Sequence, residues 1–208
     1  MIQYPLLTEG TTIGITAPSS GVPQKLHEMF KLSYSRMEEK GFQIICGETV
    51  WTQKKAKSAP AKKRADEFHQ VIHDDPIHAI MPPWGGKLLI EILEHIDFEN
   101  IKNKWIMGYS DTSLLLLAIT LNTGIATAHG PNFVDLRGEY QDDTTAMWKD
   151  VLSTGKGNSI LQRSSVSAGA LQIKPSKTTP WKMYIKNFPM NYCGHVPPQI
   201  TFINGAYA

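Results

Sequence analysis

Gly108-Tyr109-Ser110-Asp111-Thr112 is the segment of this chain best suited to covalent chemistry. It follows a short apolar run, Trp105 to Met107, and opens a helical pattern from Asp111 to Asn122. A serine on a strand-to-helix turn projects its hydroxyl above the sheet edge, which is the setting of a nucleophile elbow. Gly108, two residues earlier, removes a side chain that would crowd the turn. The N–H of Asp111 would face a developing oxyanion, helped by the helix dipole. The pattern G-x-S-x-G is incomplete, because Thr112 stands at the second glycine. The same serine suits a plain helix N-cap, and the segment alone leaves both readings open.

Two further turns carry groups that could meet a ligand. In Pro82-Pro83-Trp84-Gly85-Gly86-Lys87 the paired glycines let backbone N–H groups approach closely, or make only a tight turn. In Ala17-Pro18-Ser19-Ser20-Gly21 hydroxyls and amides could cradle an anion, although small polar residues dominate ordinary turns as well. His69 and His73 lie four apart on a helical pattern, a metal-binding spacing, but no third ligand is placed with them. Lys54, Lys55, Lys57, Lys62, Lys63 and Arg64 lack interleaved aromatics and read as a solvated surface rather than a nucleic-acid site. Leu114 to Leu117 read as core. His129 reads as an ordinary hydrogen-bonded histidine at a strand end.

The elements that must position these residues follow from period. Strands are predicted over 11–17, 42–46, 77–82, 104–108 and 124–128, where short apolar runs occur. Helices are predicted over 23–40, 61–73, 86–95, 111–122 and 141–153, with Gly41 as a left-handed stop for the first. Strand-helix alternation implies an α/β fold, a mostly parallel sheet with helices on both faces. In such sheets ligands gather beyond the carboxyl ends of the strands, where all three turns fall.

Composition narrows the class of function. The 208 residues carry a net charge of +2, with no global bias toward nucleic acid or a membrane surface. No apolar run spans a bilayer, and residues 1–20 lack a signal-peptide pattern. Cys46 and Cys193 make no disulfide framework, so a reducing compartment is expected. Residues 166–208 differ from the rest, with four lysines (Lys174, Lys177, Lys182, Lys186) and no acidic residue. They are expected to pack poorly.

Four segments together, Thr12–Ser20 (TIGITAPSS), Ile80–Lys87 (IMPPWGGK), Ile106–Leu116 (IMGYSDTSLLL) and Gly124–Phe133 (GIATAHGPNF), resemble the LD-carboxypeptidase family, which includes microcin C immunity proteins. The resemblance implies a flavodoxin-like or class I glutamine amidotransferase-like amino-terminal domain and a serine peptidase. It makes Ser110 the nucleophile and gives the oxyanion hole to the main-chain N–H groups of Gly86 and Asp111, with Gly85 in the same turn. It implies cleavage of an amide beside a free carboxylate, either the L,D bond of a muropeptide in peptidoglycan recycling or an aminoacyl nucleotide of the microcin type. It implies no cofactor or metal, a cytoplasmic location and a possible homodimer. The family's histidine base and orienting glutamate come from a carboxyl-terminal domain that no segment here matches. The expectation is an α/β domain over 1–160 and an atypical tail over 161–208, a truncation or frame shift that impairs hydrolysis. The alternatives are a non-catalytic remnant or binding module, and a flavodoxin-like nucleotide binder using Ser19, Ser20 and Gly21 for phosphate.

Overall fold

A computed structural model describes residues 2–8, 10–138, 143–154 and 201–204. Its strands are β1 (Thr12–Ile15), β2 (Gln43–Cys46), β3 (Ile77–Met81), β4 (Trp105–Gly108), β5 (Thr127–His129) and β6 (Phe202–Asn204). They form one sheet in the order β2-β1-β3-β4-β5-β6. The pairs among β1 to β5 are parallel, and β6 runs antiparallel to β5 at one edge. The α-helices are α1 (His27–Glu39), α2 (Ala61–His73), α3 (Thr112–Thr123), α4 (Asp143–Ala146) and α5 (Trp148–Ser153).

The alternation of the strands builds two cores. Ile13, Ile15, Ala79, Met81, Trp105 and Met107 face Phe30 and Met37 of α1, with Phe133 and Leu136 of a 3-10 turn (Phe133–Arg137). Ile80 and Ile106 face the other way, onto Phe68 and Ile72 of α2 and Leu115, Leu116 and Ile119 of α3. Burying each such side chain contributes about 1.5–3 kcal/mol. Helices therefore cover both faces, as the period of the sequence requires.

Several boundaries differ from the sequence reading. The predicted helix 86–95 is a 3-10 turn over Leu89–His95, with Leu88 as its N-cap and the Leu88 carbonyl accepting the Glu91 N–H. The predicted strand 124–128 begins at Thr127, since Gln3 takes the backbone partners beside Ile125: its N–H donates to Gly124 O and its carbonyl accepts from Ala126 N–H. The predicted helix 141–153 is split into α4 and α5. Leu114 and Leu117 are not core: they are 45% and 48% exposed, on the outer side of α3 with Leu121. A helix apolar all round places half its leucines outward when only one side meets the sheet.

The lysine cluster dissolves into separate ion pairs, Lys62–Asp66, Lys63–Glu48 and Lys57–Glu91, and Arg64 is not solvated at all. Three residues of the acid-free stretch, Phe202–Asn204, belong to the sheet, so the expectation of poor packing fails for them. The rest of that expectation, with Cys193, lies outside the described residues. Among the described residues no helix is long and apolar enough to cross a membrane.

Candidate active site

The register of β3 and β4 sets Ala79 beside Trp105 and Ile80 beside Ile106, so the two strands finish side by side. The turn after β4 holds Ser110, and the turn after β3 holds Gly85 and Gly86. Ser110 has φ +66, the left-handed region that a side-chain-bearing residue adopts at a cost of about 1–2 kcal/mol. Its carbonyl accepts the Ser113 N–H at 3.1 Å, so α3 starts directly from the strained residue. The helix cap is Asp111, not Ser110. That backbone rules out the plain N-cap reading, in which the capping serine would be extended.

The turn after β3 presses on this serine. A Cβ on Gly85 would stand 2.5 Å from Ser110 Cβ and 2.9 Å from its Oγ. A Cβ on Gly86 would stand 2.2 Å from Ser19 Oγ and 2.6 Å from Ser20 Oγ. Each glycine thus permits a backbone approach that alanine would block. Gly85 is the one against Ser110, and Gly86 stands against the turn after β1. Pro82 O and Pro83 O accept the N–H groups of Phe133 and Val134, at 3.0 and 3.1 Å, which anchors the start of this turn.

Asn132, 1% exposed, braces the elbow from the neighbouring strand end: its Oδ1 accepts the Tyr109 N–H at 3.2 Å. The Asp135 carboxylate accepts the Asn132 N–H and closes a capping box. Sequence reading did not single out Asn132; its place two residues after the His129-Gly130 strand end was the available signal. His129 lies opposite Gly108 in the ladder and shares a 3.1 Å hydrogen bond between its Nδ1 and Ser113 Oγ. Burial pushes its pKa below the usual histidine range, which keeps the ring neutral at pH 7.

The turn after β1 is not an open phosphate cradle. Ser19 Oγ donates to Asp111 Oδ2 at 2.6 Å, Ser20 Oγ donates to Ala56 O at 3.2 Å, and Gly21 N–H donates to Gln53 Oε1 at 2.8 Å. Those donors are spent within the protein. His69 and His73 are likewise occupied, His69 Nε2 by the Asp97 N–H and His73 Nδ1 by the His69 carbonyl. Among the described residues no group of three His, Cys, Asp or Glu side chains comes together as metal ligands do.

Residues 13–130 match the LD-carboxypeptidase N-terminal domain. The chain belongs to the LD-carboxypeptidase family. It is 32% identical over 147 residues to the microcin C7 self-immunity protein MccF of Escherichia coli, across 67% of this chain and 43% of the relative. It is 34% identical over 128 residues to a probable murein peptide carboxypeptidase of Bacillus subtilis, across 60% of this chain and 39% of the relative. The solved structure of MccF in complex with glutamyl sulfamoyl guanosine superposes with a TM-score of 0.70 at 23% identity, covering 83% of this chain and 58% of that one. The likeness of fold extends to the family's α/β sheet. The chain spans less than half the length of the curated relatives it matches.

Proposed function

We propose that this chain carries the nucleophile and oxyanion site of a serine LD-carboxypeptidase-type hydrolase. Ser110 Oγ attacks the carbonyl carbon of an amide beside a free carboxylate, and its proton passes to a base. The carbonyl oxygen becomes an oxyanion held by the N–H groups of Gly86 and Asp111, at the positive end of α3. The C–N bond then breaks, the amine leaves with the proton, and water hydrolyses the ester. The observation that carries this reading is the left-handed backbone of Ser110 with Gly85 packed against it. Strain of this kind persists only where the surroundings over-determine it, as at a nucleophile elbow.

The substrate class comes from the relatives. One is named for murein peptides, another for self-immunity to microcin C7, and a related structure holds an aminoacyl sulfamoyl nucleotide analogue. A muropeptide ending in a D-amino acid and an aminoacyl nucleotide are the two candidates. The resemblance assigns the base to a histidine outside 1–160, so labelling and hydrolysis are expected to be slow where that base is not supplied, and the expected location is cytoplasmic.

The test is a fluorophosphonate probe, which traps an activated serine, followed by peptide mass mapping. The adduct is expected on Ser110 and absent from Ser110→Ala. An adduct confined to other residues, or no adduct, overturns the reading in favour of a non-catalytic binding module. Hydrolysis of an L,D-tetrapeptide compared with an aminoacyl sulfamoyl nucleotide then separates the two substrates.

A further inference from the structure

Arg64 is completely buried, although it belongs to a stretch of lysines that face water. Its signal in the sequence is spacing: Arg64, Phe68 and Ile72 recur every four residues on the inward side of α2. The guanidinium donates through Nε to Ala59 O at 2.9 Å. Through Nη1 it donates to Pro18 O at 2.7 Å and to Leu88 O at 2.9 Å. Through Nη2 it pairs with the Glu91 carboxylate. Only a planar fork with several fixed donors serves so many acceptors at once; an ammonium does not.

The Asp111 side chain binds the neighbouring positions of the same two turns. Its Oδ2 accepts from Ser19 Oγ at 2.6 Å and from the Leu89 N–H at 3.2 Å. Ser19 Oγ in turn accepts the Leu88 N–H at 3.3 Å. Residues 18–19 after β1 and 88–89 after β3 are therefore each held twice. Arg64 takes their carbonyls, and the Asp111–Ser19 pair takes their donors. The Leu88 carbonyl also accepts the Glu91 N–H at 3.3 Å, so the 3-10 turn over Leu89–His95 starts from a clasped residue. Between Pro83, anchored to Val134, and Leu88, held by this clasp, lie Gly85 and Gly86. The position of Gly85 against Ser110 is thus set from both ends.

We propose that Arg64 and the Asp111 carboxylate are positioning residues that clasp the turns after β1 and β3 and so hold the Gly85-Gly86 backbone against Ser110. The proposal rests on the reading of Ser110 as nucleophile. Asp111 then has two separate duties: its N–H faces the oxyanion, and its carboxylate fixes the opposite wall. Burial presses the Arg64 guanidinium below its ordinary pKa, and the charges of Glu91 and Asp111 offset only part of that pressure. A buried cation so surrounded keeps its charge and its geometry.

The experiment measures fluorophosphonate labelling of the full chain at increasing probe concentration, which separates the saturation constant KI from the maximal rate kinact. Ser19→Ala removes the Oγ shared by Asp111 and Leu88 with little change of volume. Arg64→Lys keeps the charge and loses the fork. Amide hydrogen exchange in β1, β3 and β4 confirms that each variant is folded. The expected result is a kinact about 10- to 100-fold below wild type with KI unchanged, since a misplacement near 1 Å costs on that scale. If Arg64→Lys does not fold, Ser19→Ala decides. A folded Ser19→Ala with wild-type kinact, or with a changed KI alone, overturns the clasp. A wild-type chain that is never labelled at Ser110 overturns instead the nucleophile reading on which it rests.

Discussion

Two regions beside the sheet invite comparison. One is the elbow after β4. The other is an open groove of about 840 Å³ between β2 and α2, lined by Cys46, Gly47, Glu48, Lys63, Asp66 and Glu67 among others. The groove has room, a thiol and charges, yet its reactive groups are spent. The Glu67 carboxylate accepts Thr16 Oγ1–H at 2.8 Å and Thr49 N–H at 2.9 Å, with Thr49 Oγ1–H as a third donor. The Cys46 thiol is pushed up to about 12 by burial, with the Glu67 carboxylate adding to the shift. At the rim, Lys63 pairs with Glu48 and Lys62 with Asp66. The elbow instead holds a left-handed Ser110, with Gly85 packed against it and Asn132 bracing the preceding residue. The difference teaches that volume locates room for a ligand, whereas a strained residue held by braces locates chemistry.

Three measurements would break or sharpen that contrast. The largest effect is expected from Gly85→Ala, whose Cβ would stand 2.5 Å from that of Ser110. Fluorophosphonate labelling of Ser110 should fall about 10²- to 10³-fold, the scale of losing an oxyanion donor. Labelling at the wild-type rate would mean that the approach of the two turns has no bearing on reactivity. Next, iodoacetamide at pH 8 should modify Cys46 about 100-fold more slowly than a free thiol, because little thiolate is present. The rate should climb as pH approaches 12, and fast modification at pH 8 would make the groove a reactive site after all. The smallest change is expected from Glu67→Ala, which strips the acceptor from Thr16 and Thr49. Denaturant unfolding should show a loss of about 2 kcal/mol, with Ser110 labelling of the folded protein unchanged. A loss of labelling out of proportion to stability would join the two regions into one functional unit.

How much of this was legible in the residues depends on how local each feature is. The period of Phe68, Val71 and Ile72 fixed α2 at 61–73, and Ile77–Met81 read correctly as a strand, since both depend on neighbours in the chain. Gly41 at φ +84 ends the first helix region as its type suggested. Ser110 was legible as a candidate because strand, turn and helix signals are adjacent there. The choice between elbow and N-cap was not, because both place a serine before a helix and differ only in one backbone angle.

The sequence by itself determined the alternation of elements, the two-sided burial of the parallel strands and the family to which the four segments belong. Tertiary structure alone decided which glycine meets Ser110, which leucines of α3 face out, and that residues 202–204 close an edge of the sheet. It alone made Arg64 a buried bracket rather than one more surface cation. The physical reason is distance along the chain. Propensity and hydrophobic period act over a few residues, whereas Ser19, Arg64, Leu88 and Asp111 are brought together only when neighbouring strands end side by side.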